Sequence, residues 1–218
     1  LISTLPKWVE TGAWLLAFIA GFINAIGLLS FEHQSVSHLS GTATLLGAQV
    51  ITQNTTLIWH LLGVLLSFVI GAAMAGLLLS SASLKLGRHY DTALMLESLL
   101  LFAALWQLNS GSIYGHFLAS AACGLQNALA TTYSGAIIRT THVTGIFTDL
   151  GIMLGKYLKG EGLDKRKAKL FLCIISGFII GGALGAGLFK SFGVNALLLP
   201  ASICGLMALV YRIFRKTV

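Results

Sequence analysis

The chain has 218 residues, 56% of them hydrophobic and only 10% charged, with a mean hydropathy of +0.86. A water-soluble domain of this size carries about a quarter charged residues, so this balance excludes one and points to an integral membrane protein. The net charge of +7 does not argue for nucleic acid, because the basic residues gather at the ends of apolar runs, as the positive-inside rule produces.

Spanning a hydrocarbon core of about 30 Å takes roughly twenty helical residues. The opening stretch, LISTLPKWVETG, lacks the basic start and cleavage site of a signal peptide. The first run, 12–30, spans and carries Asn24 three residues after Gly21. Glu32 and His33 follow at the outer mouth, and then SHLSG opens a short apolar segment, 41–53. As a helix this segment reaches only ~20 Å, so it is expected to be re-entrant. The run 57–84 spans, with His60 near its start and Lys85 and Arg88 after it. The run 92–108 holds Glu97; the uncharged LNSGS leads into 113–136, with His116 near its start and Gln126 and Asn127 inside it. Next comes the polar RTTHVTG at 139–145, opening a second short segment, 145–158, which contains Asp149. KGEGLDKRKAK leads into 167–189, where Gly177, Gly181 and Gly185 recur four apart, a face for close helix contact. The run 194–213 follows, and RIFRK closes the sequence. His60, His89 and His116 are expected at the interface. Cys123, Cys173 and Cys204 lie in apolar runs without CxxC spacing and read as small hydrophobes.

The chain repeats itself. GFINA at 21–25 matches GLQNA at 124–128, SHLSGTATLLG at 37–47 matches THVTGIFTDLG at 141–151, SFVIGAAM at 67–74 matches GFIIGGAL at 177–184, and ALMLES at 93–98 matches ALLLPA at 196–201. Four matches in one order, offset by 103 to 110 residues, define a duplication. The expected fold is all-α and integral to the membrane: a tandem repeat of 1–109 and 110–218, with six spanning helices and two short re-entrant half-helices. Placing the basic connections in the cytoplasm puts both termini there. Three spans per repeat then invert the second half against the first, the pattern of transporters with a site near the midplane.

Polar, irregular backbone is tolerated at membrane depth only where it lines a cavity or is buried in protein. The predicted substrate-binding residues are therefore His38, Ser40, Gly41 and Thr42 in the first turn and His142, Thr144 and Gly145 in the second, joined by Asn24 and Asn127. Both half-helices are expected to point positive N-terminal ends at the centre, which suits an anion or polar solute. Glu97, Arg139 and Asp149 are the candidates for coupling or gating, as ionisable groups in apolar sequence. No catalytic residue, metal ligand or cofactor is predicted, and no phosphate-binding loop occurs.

At these residues the chain resembles a known family. GFINAIG with SHLSGTATLLG, and GLQNALATTYSGAIIRTTHVTGIFTDLG, are similar to the two signature blocks of the YoaK-type family of small bacterial inner-membrane proteins, a domain of unknown function. The resemblance covers essentially the whole chain. One departure is Thr42, where the family commonly has Asn after the glycine. It implies about six spans, a bacterial inner-membrane location and a presumed transport role, without a substrate.

Three function classes follow. A transporter or channel for a small anion or polar solute leads. The paired half-helices resemble those of aquaporin-type channels, but neither carries Asn-Pro-Ala. The second class is an intramembrane serine hydrolase, since HLSG at 38–41 resembles the Gly-x-Ser-Gly turn of rhomboid-type proteases, with Ser40 as nucleophile beside a histidine. The third is a non-transporting sensor or structural subunit. The expected partners are a small-molecule or ion substrate and the lipid bilayer. Nucleic acid is not expected, and a homodimer is a candidate assembly because eight short elements make a small body.

Overall fold

In lipid, a long apolar run must satisfy its backbone polar groups internally, and a single segment can do so only as a helix. The computed structural model, which describes residues 7–30, 35–79, 89–134 and 140–217, follows that rule. Its helices are α1 (Lys7–Leu29), α2 (Leu39–Thr52), α3 (Thr55–Leu78), α4 (Tyr90–Asn109), α5 (Tyr114–Ser134), α6 (Val143–Leu158), α7 (Lys165–Phe192) and α8 (Leu198–Thr217). Among the described residues there is no strand. The segments expected at 41–53 and 145–158 are the 14-residue α2 and the 16-residue α6.

Among the described residues, four stretches are long and apolar enough to cross a bilayer: Glu10–Leu29, Thr55–Leu78, Tyr90–Asn109 and Lys165–Ile213. The last holds α7 and α8, separated by a 3-10 turn at Gly193–Leu197. Large apolar side chains on these stretches, such as Leu77, Ile179 and Leu206, are exposed, a surface suited to lipid rather than water. The chain is an all-α membrane protein.

Local signals place the joints. Gln53 takes a left-handed conformation (φ 57°) between α2 and α3, and Asn54 Oδ1 accepts from the Leu57 N–H at 3.2 Å. Asp164 caps α7 in the same way, accepting from the Lys167 N–H at 3.0 Å. Each cap satisfies one of the N–H groups a helix start leaves open. Pro200 sits in the first turn of α8, where a missing N–H is tolerated.

Two parallel helix pairs form the frame. Along α1 and α7, the Trp14, Phe18 and Phe22 carbonyls meet Gly177, Gly181 and Gly185 in turn. At the start of this pair, Glu10 accepts from Lys169 Nζ at 2.8 Å and pairs with Arg166 at 3.8 Å. Along α3 and α5, the Val64 carbonyl accepts from Ser120 Oγ at 2.9 Å, and the Phe68 carbonyl lies against Gly124. The α4–α8 pair is antiparallel: Ser98 Oγ donates to the Ala201 carbonyl at 2.7 Å, and Asn109 Nδ2 to Asn195 Oδ1 at 2.8 Å. Between the pairs, Gln126 Nε2 donates to the Leu16 carbonyl at 3.0 Å and His116 lies 3.3 Å from Ser30, so α1 and α5 run in opposite directions.

Residues that match in the sequence make matching contacts. Gly21 rests on the Phe178 carbonyl as Gly124 rests on that of Phe68, and Gly181 rests on the Phe18 carbonyl as Gly71 rests on that of Ala121. A Cβ at any of the four would collide with backbone, so only glycine permits these approaches.

Candidate functional site

The turn before α2 is held from behind by α1. Asn24 Oδ1 accepts from the hydroxyls of Ser35 and, at 2.8 Å, Ser37. Ser35 Oγ accepts from the His38 N–H at 2.7 Å. Thr42, 1% exposed, turns its hydroxyl back to the carbonyls of Ser35 (3.2 Å) and His38 (3.4 Å). Serine and threonine here supply the hydrogen bonds that the broken helix cannot.

Neither His38 nor His142 caps the helix it precedes with its side chain. The rings instead fold over the first helical turn. The Cδ2 of His38 would lie 3.2 Å from a Cβ at position 41, and a Cβ at 145 would collide with the His142 ring. The glycine three residues after each histidine is therefore the floor on which the imidazole lies. Ser40 Oγ is 3.3 Å from His38 Nε2, while Thr44 and Thr148 return their hydroxyls to the carbonyls of Ser40 and Thr144.

Between the two turns lies a cavity of about 650 Å³. His38, Ser40, Asn127, His142 and Thr144 line it, together with Ser37 and Thr141. Five of the nine predicted binding residues thus meet at one place. The other four stand behind it and do not line it: Asn24 and Thr42 tie the first turn, and Gly41 and Gly145 lie beneath the histidines. Asn127 differs from its counterpart Asn24 in that its Oδ1, buried, has no hydrogen-bond partner among the described residues. The two positive helix ends and the imidazoles of His38 and His142 give the cavity groups for a solute that both accepts and donates hydrogen bonds.

Of the coupling candidates, Glu97 and Asp149 do not line the cavity. Asp149 is half-buried on α6 and forms no ion pair among the described residues. Glu97 is fully buried on α4 beside the thiols of Cys123 and Cys204, and neither of its oxygens has an N–H or O–H donor among the described residues. Arg139 and Arg88 lie outside the described residues, as do Glu32 and His33.

His60 and His116, near the starts of their helices, are buried and in contact with each other, because the parallel crossing of α3 and α5 closes over both. Gln126 is fully buried and joins α5 to α1. The wall of the cavity also includes Phe68, Ala72 and Gly76 of α3 and Thr131 and Thr132 of α5. Thr131 follows Asn127 by four residues, a helical spacing that places it on the same face; α3 offered no polar signal.

A family model described as "Protein of unknown function (DUF1275)" matches residues 12–210. The chain is 28% identical over 174 residues to the UPF0700 transmembrane protein YoaK of Bacillus subtilis (strain 168), covering 78% of this chain and 76% of that one. No solved structure matches.

Proposed function

We propose that this chain, which belongs to the DUF1275 family, carries a small anion or polar solute across the membrane through the cavity between its two short helices. The observation that carries this reading is the composition of one cavity: residues of both duplicated turns, His38 and Ser40 with His142 and Thr144, face the same space of about 650 Å³.

In this reading the chain is an inverted-topology repeat of 1–109 and 110–218, with six spans and two re-entrant half-helices. The opposite courses of α1 and α5 and the reciprocal glycine contacts support it. The 49-residue stretch Lys165–Ile213 supports two spans rather than one, since as one helix it would be about 74 Å long, more than twice the bilayer core. The 21-residue α5 is the sixth span, less apolar because its neighbours sheathe it. The ion pairs from Glu10 to Arg166 and Lys169 bring the start of α1 to the basic end of α7. That end faces the cytoplasm of a bacterial inner membrane, and both termini lie on that side. Glu97, Asp149 and Arg139 are the ionisable groups that would link transport to an ion gradient.

The test is uptake into liposomes by the purified protein, using a panel of small anions and neutral solutes with and without a pH gradient. His38→Ala and His142→Ala should each abolish or strongly reduce flux, and Ser40→Ala should leave most of it. A folded protein that moves none of these solutes would refute the reading.

One contact favours a second reading, an intramembrane serine hydrolase: the 3.3 Å approach of Ser40 Oγ to His38 Nε2. Covalent labelling of Ser40 by a serine-directed fluorophosphonate, lost in Ser40→Ala and in His38→Ala, would establish it in place of transport.

A further inference from the structure

Glu97 sits where α4 crosses α8, one residue before the Ser98 hydroxyl that donates to the Ala201 carbonyl, and it is 0% exposed. Its polar neighbours are two thiols, Cys123 of α5 and Cys204 of α8. Among the described residues these are the titratable groups that face it from the surrounding helices, and thiols are weak donors. Neither carboxyl oxygen has an N–H or O–H donor there, and no cation among the described residues pairs with it. The fold does not ask for this carboxyl. By the repeat offset of 103, Glu97 corresponds to Pro200, Cys123 to Ala20 and Cys204 to Leu101. All three counterparts are buried, so the matched positions are filled without a polar side chain.

The surroundings select the ion that such a group can bind. A carboxylate taken out of water with neither a cation nor strong donors is neutralised rather than left charged. A hard cation such as Na⁺ would need several oxygen ligands, whereas sulfur stands here. A proton needs no further ligand. The position of the group also fits exchange with the central cavity. Cys123 lies four residues before Asn127 on α5, so one helical turn of about 5.4 Å separates the neighbour of the carboxyl from a residue that lines the cavity. Asp149, the other carboxyl among the coupling candidates, is half-buried on α6 and has no comparable seclusion.

We propose that Glu97 is the binding site of a proton that crosses the membrane with the solute, held as the neutral acid in this structure and exchanged at the level of the central cavity. The inference deepens the transport reading above and rests on it. The proton comes from water on the side where the solute enters and returns to water on the side where it leaves, so the carboxyl ends as it began. A proton that travels with a monovalent anion cancels its charge, and the pair crosses without working against the membrane potential.

Two measurements on the full chain test this. Infrared absorption of the folded protein in nanodiscs at neutral pH should show the carbonyl band of a protonated carboxylic acid, and Glu97→Gln should lack it. Glutamine keeps the size and neutrality of the acid, so the variant should fold and melt like the wild type; the wild-type band itself needs no variant. The second measurement uses liposomes that enclose a pH-sensitive dye, with chloride, nitrate, lactate, urea and glycerol as the imposed solutes. A gradient of the transported solute should drive protons across with the wild type. In Glu97→Gln the proton movement should fall to the level of empty liposomes, while labelled solute still exchanges at equal pH. A wild type that moves a solute without protons, or a Glu97→Gln that moves both, would overturn the proposal and leave the transport reading standing. A folded wild type that moves none of these solutes would remove both. Absence of the acid band at neutral pH would overturn the proposal whatever the transport result.

Discussion

Asn24 and Asn127 occupy matched positions three residues after matched glycines, yet they do different work. Asn24 is 8% exposed and its side-chain oxygen holds two serines of the first turn. Asn127 lines the cavity, and its buried oxygen has no partner among the described residues. Replacing Asn24 by Ala leaves two serine hydroxyls short of their acceptor, which costs about 1–3 kcal/mol. The expected outcome is a lower melting temperature. Asn127→Ala removes a buried oxygen that no group among the described residues uses and should barely move the melting temperature. Its effect should fall on the apparent affinity of whichever solute the uptake assay identifies. The glycines under the histidines divide in a similar way. Gly145→Ala must push the His142 ring off the helix, whereas Gly41→Ala needs His38 to give only a few tenths of an ångström. Flux should therefore fall more steeply in Gly145→Ala than in Gly41→Ala; equal losses would mean that the ring positions do not matter. The sequence shows both turns because polar residues stand out against an apolar background. It cannot separate lining from bracing: the back-bonded hydroxyl of Thr42 and the cavity-facing Ser40 are alike until the path of the chain is known.

At the scale of elements, the short helices were legible because each begins at a polar break and runs out after about four turns. The long pairs were legible only in part. Repeated small residues in 177–185 signal close contact but not with what, and the partner proves to be α1, some 160 residues earlier. The direction of that pair matters to function. Parallel crossing brings the starts of α3 and α5 together, which buries His60 against His116. Histidines near helix ends read as interfacial when each helix is considered alone. The glycine contacts give a sharp test of the frame. A Cβ at Gly21 or Gly124 collides with a backbone carbonyl, which cannot rotate away. Alanine at either position should cost about 1–3 kcal/mol through overpacking. Gly187 of α7 has open space around its missing Cβ, so Gly187→Ala should be neutral or add up to about 1 kcal/mol through helix propensity. Denaturation in mild detergent would compare the three. A loss at Gly187 equal to that at Gly21 would show that helix flexibility, not the crossing, is what the glycines supply.

For the whole molecule, the proposed inversion of the two halves makes a claim about sides. If α1 leaves the basic end and α5 returns to it, then the joint between α2 and α3 at Gln53 and the joint between α4 and α5 at Ser110 lie on one face. The joint between α6 and α7 at Glu161 lies on the other. The hydrogen bonds that tie Ser30 to His116 and Asn109 to Asn195 are consistent with a single end for the first two joints. Gln53, Ser110 and Glu161 are all exposed, so single cysteines there can be labelled without opening the fold. The background replaces Cys123, Cys173 and Cys204 with alanine, each a small change at an apolar position. In intact cells a membrane-impermeant maleimide should react with Gln53→Cys and Ser110→Cys but spare Glu161→Cys until the membrane is permeabilised. Labelling of all three from outside would place the basic segment on the wrong side of the membrane. Labelling of Gln53→Cys but not Ser110→Cys would mean that an odd number of crossings separates the two joints. In that case one of α3 and α4 does not cross the bilayer, the first repeat lacks its three spans, and the two positive helix ends do not share a midplane site. The cavity would still exist, but it would open to one side and serve binding rather than passage.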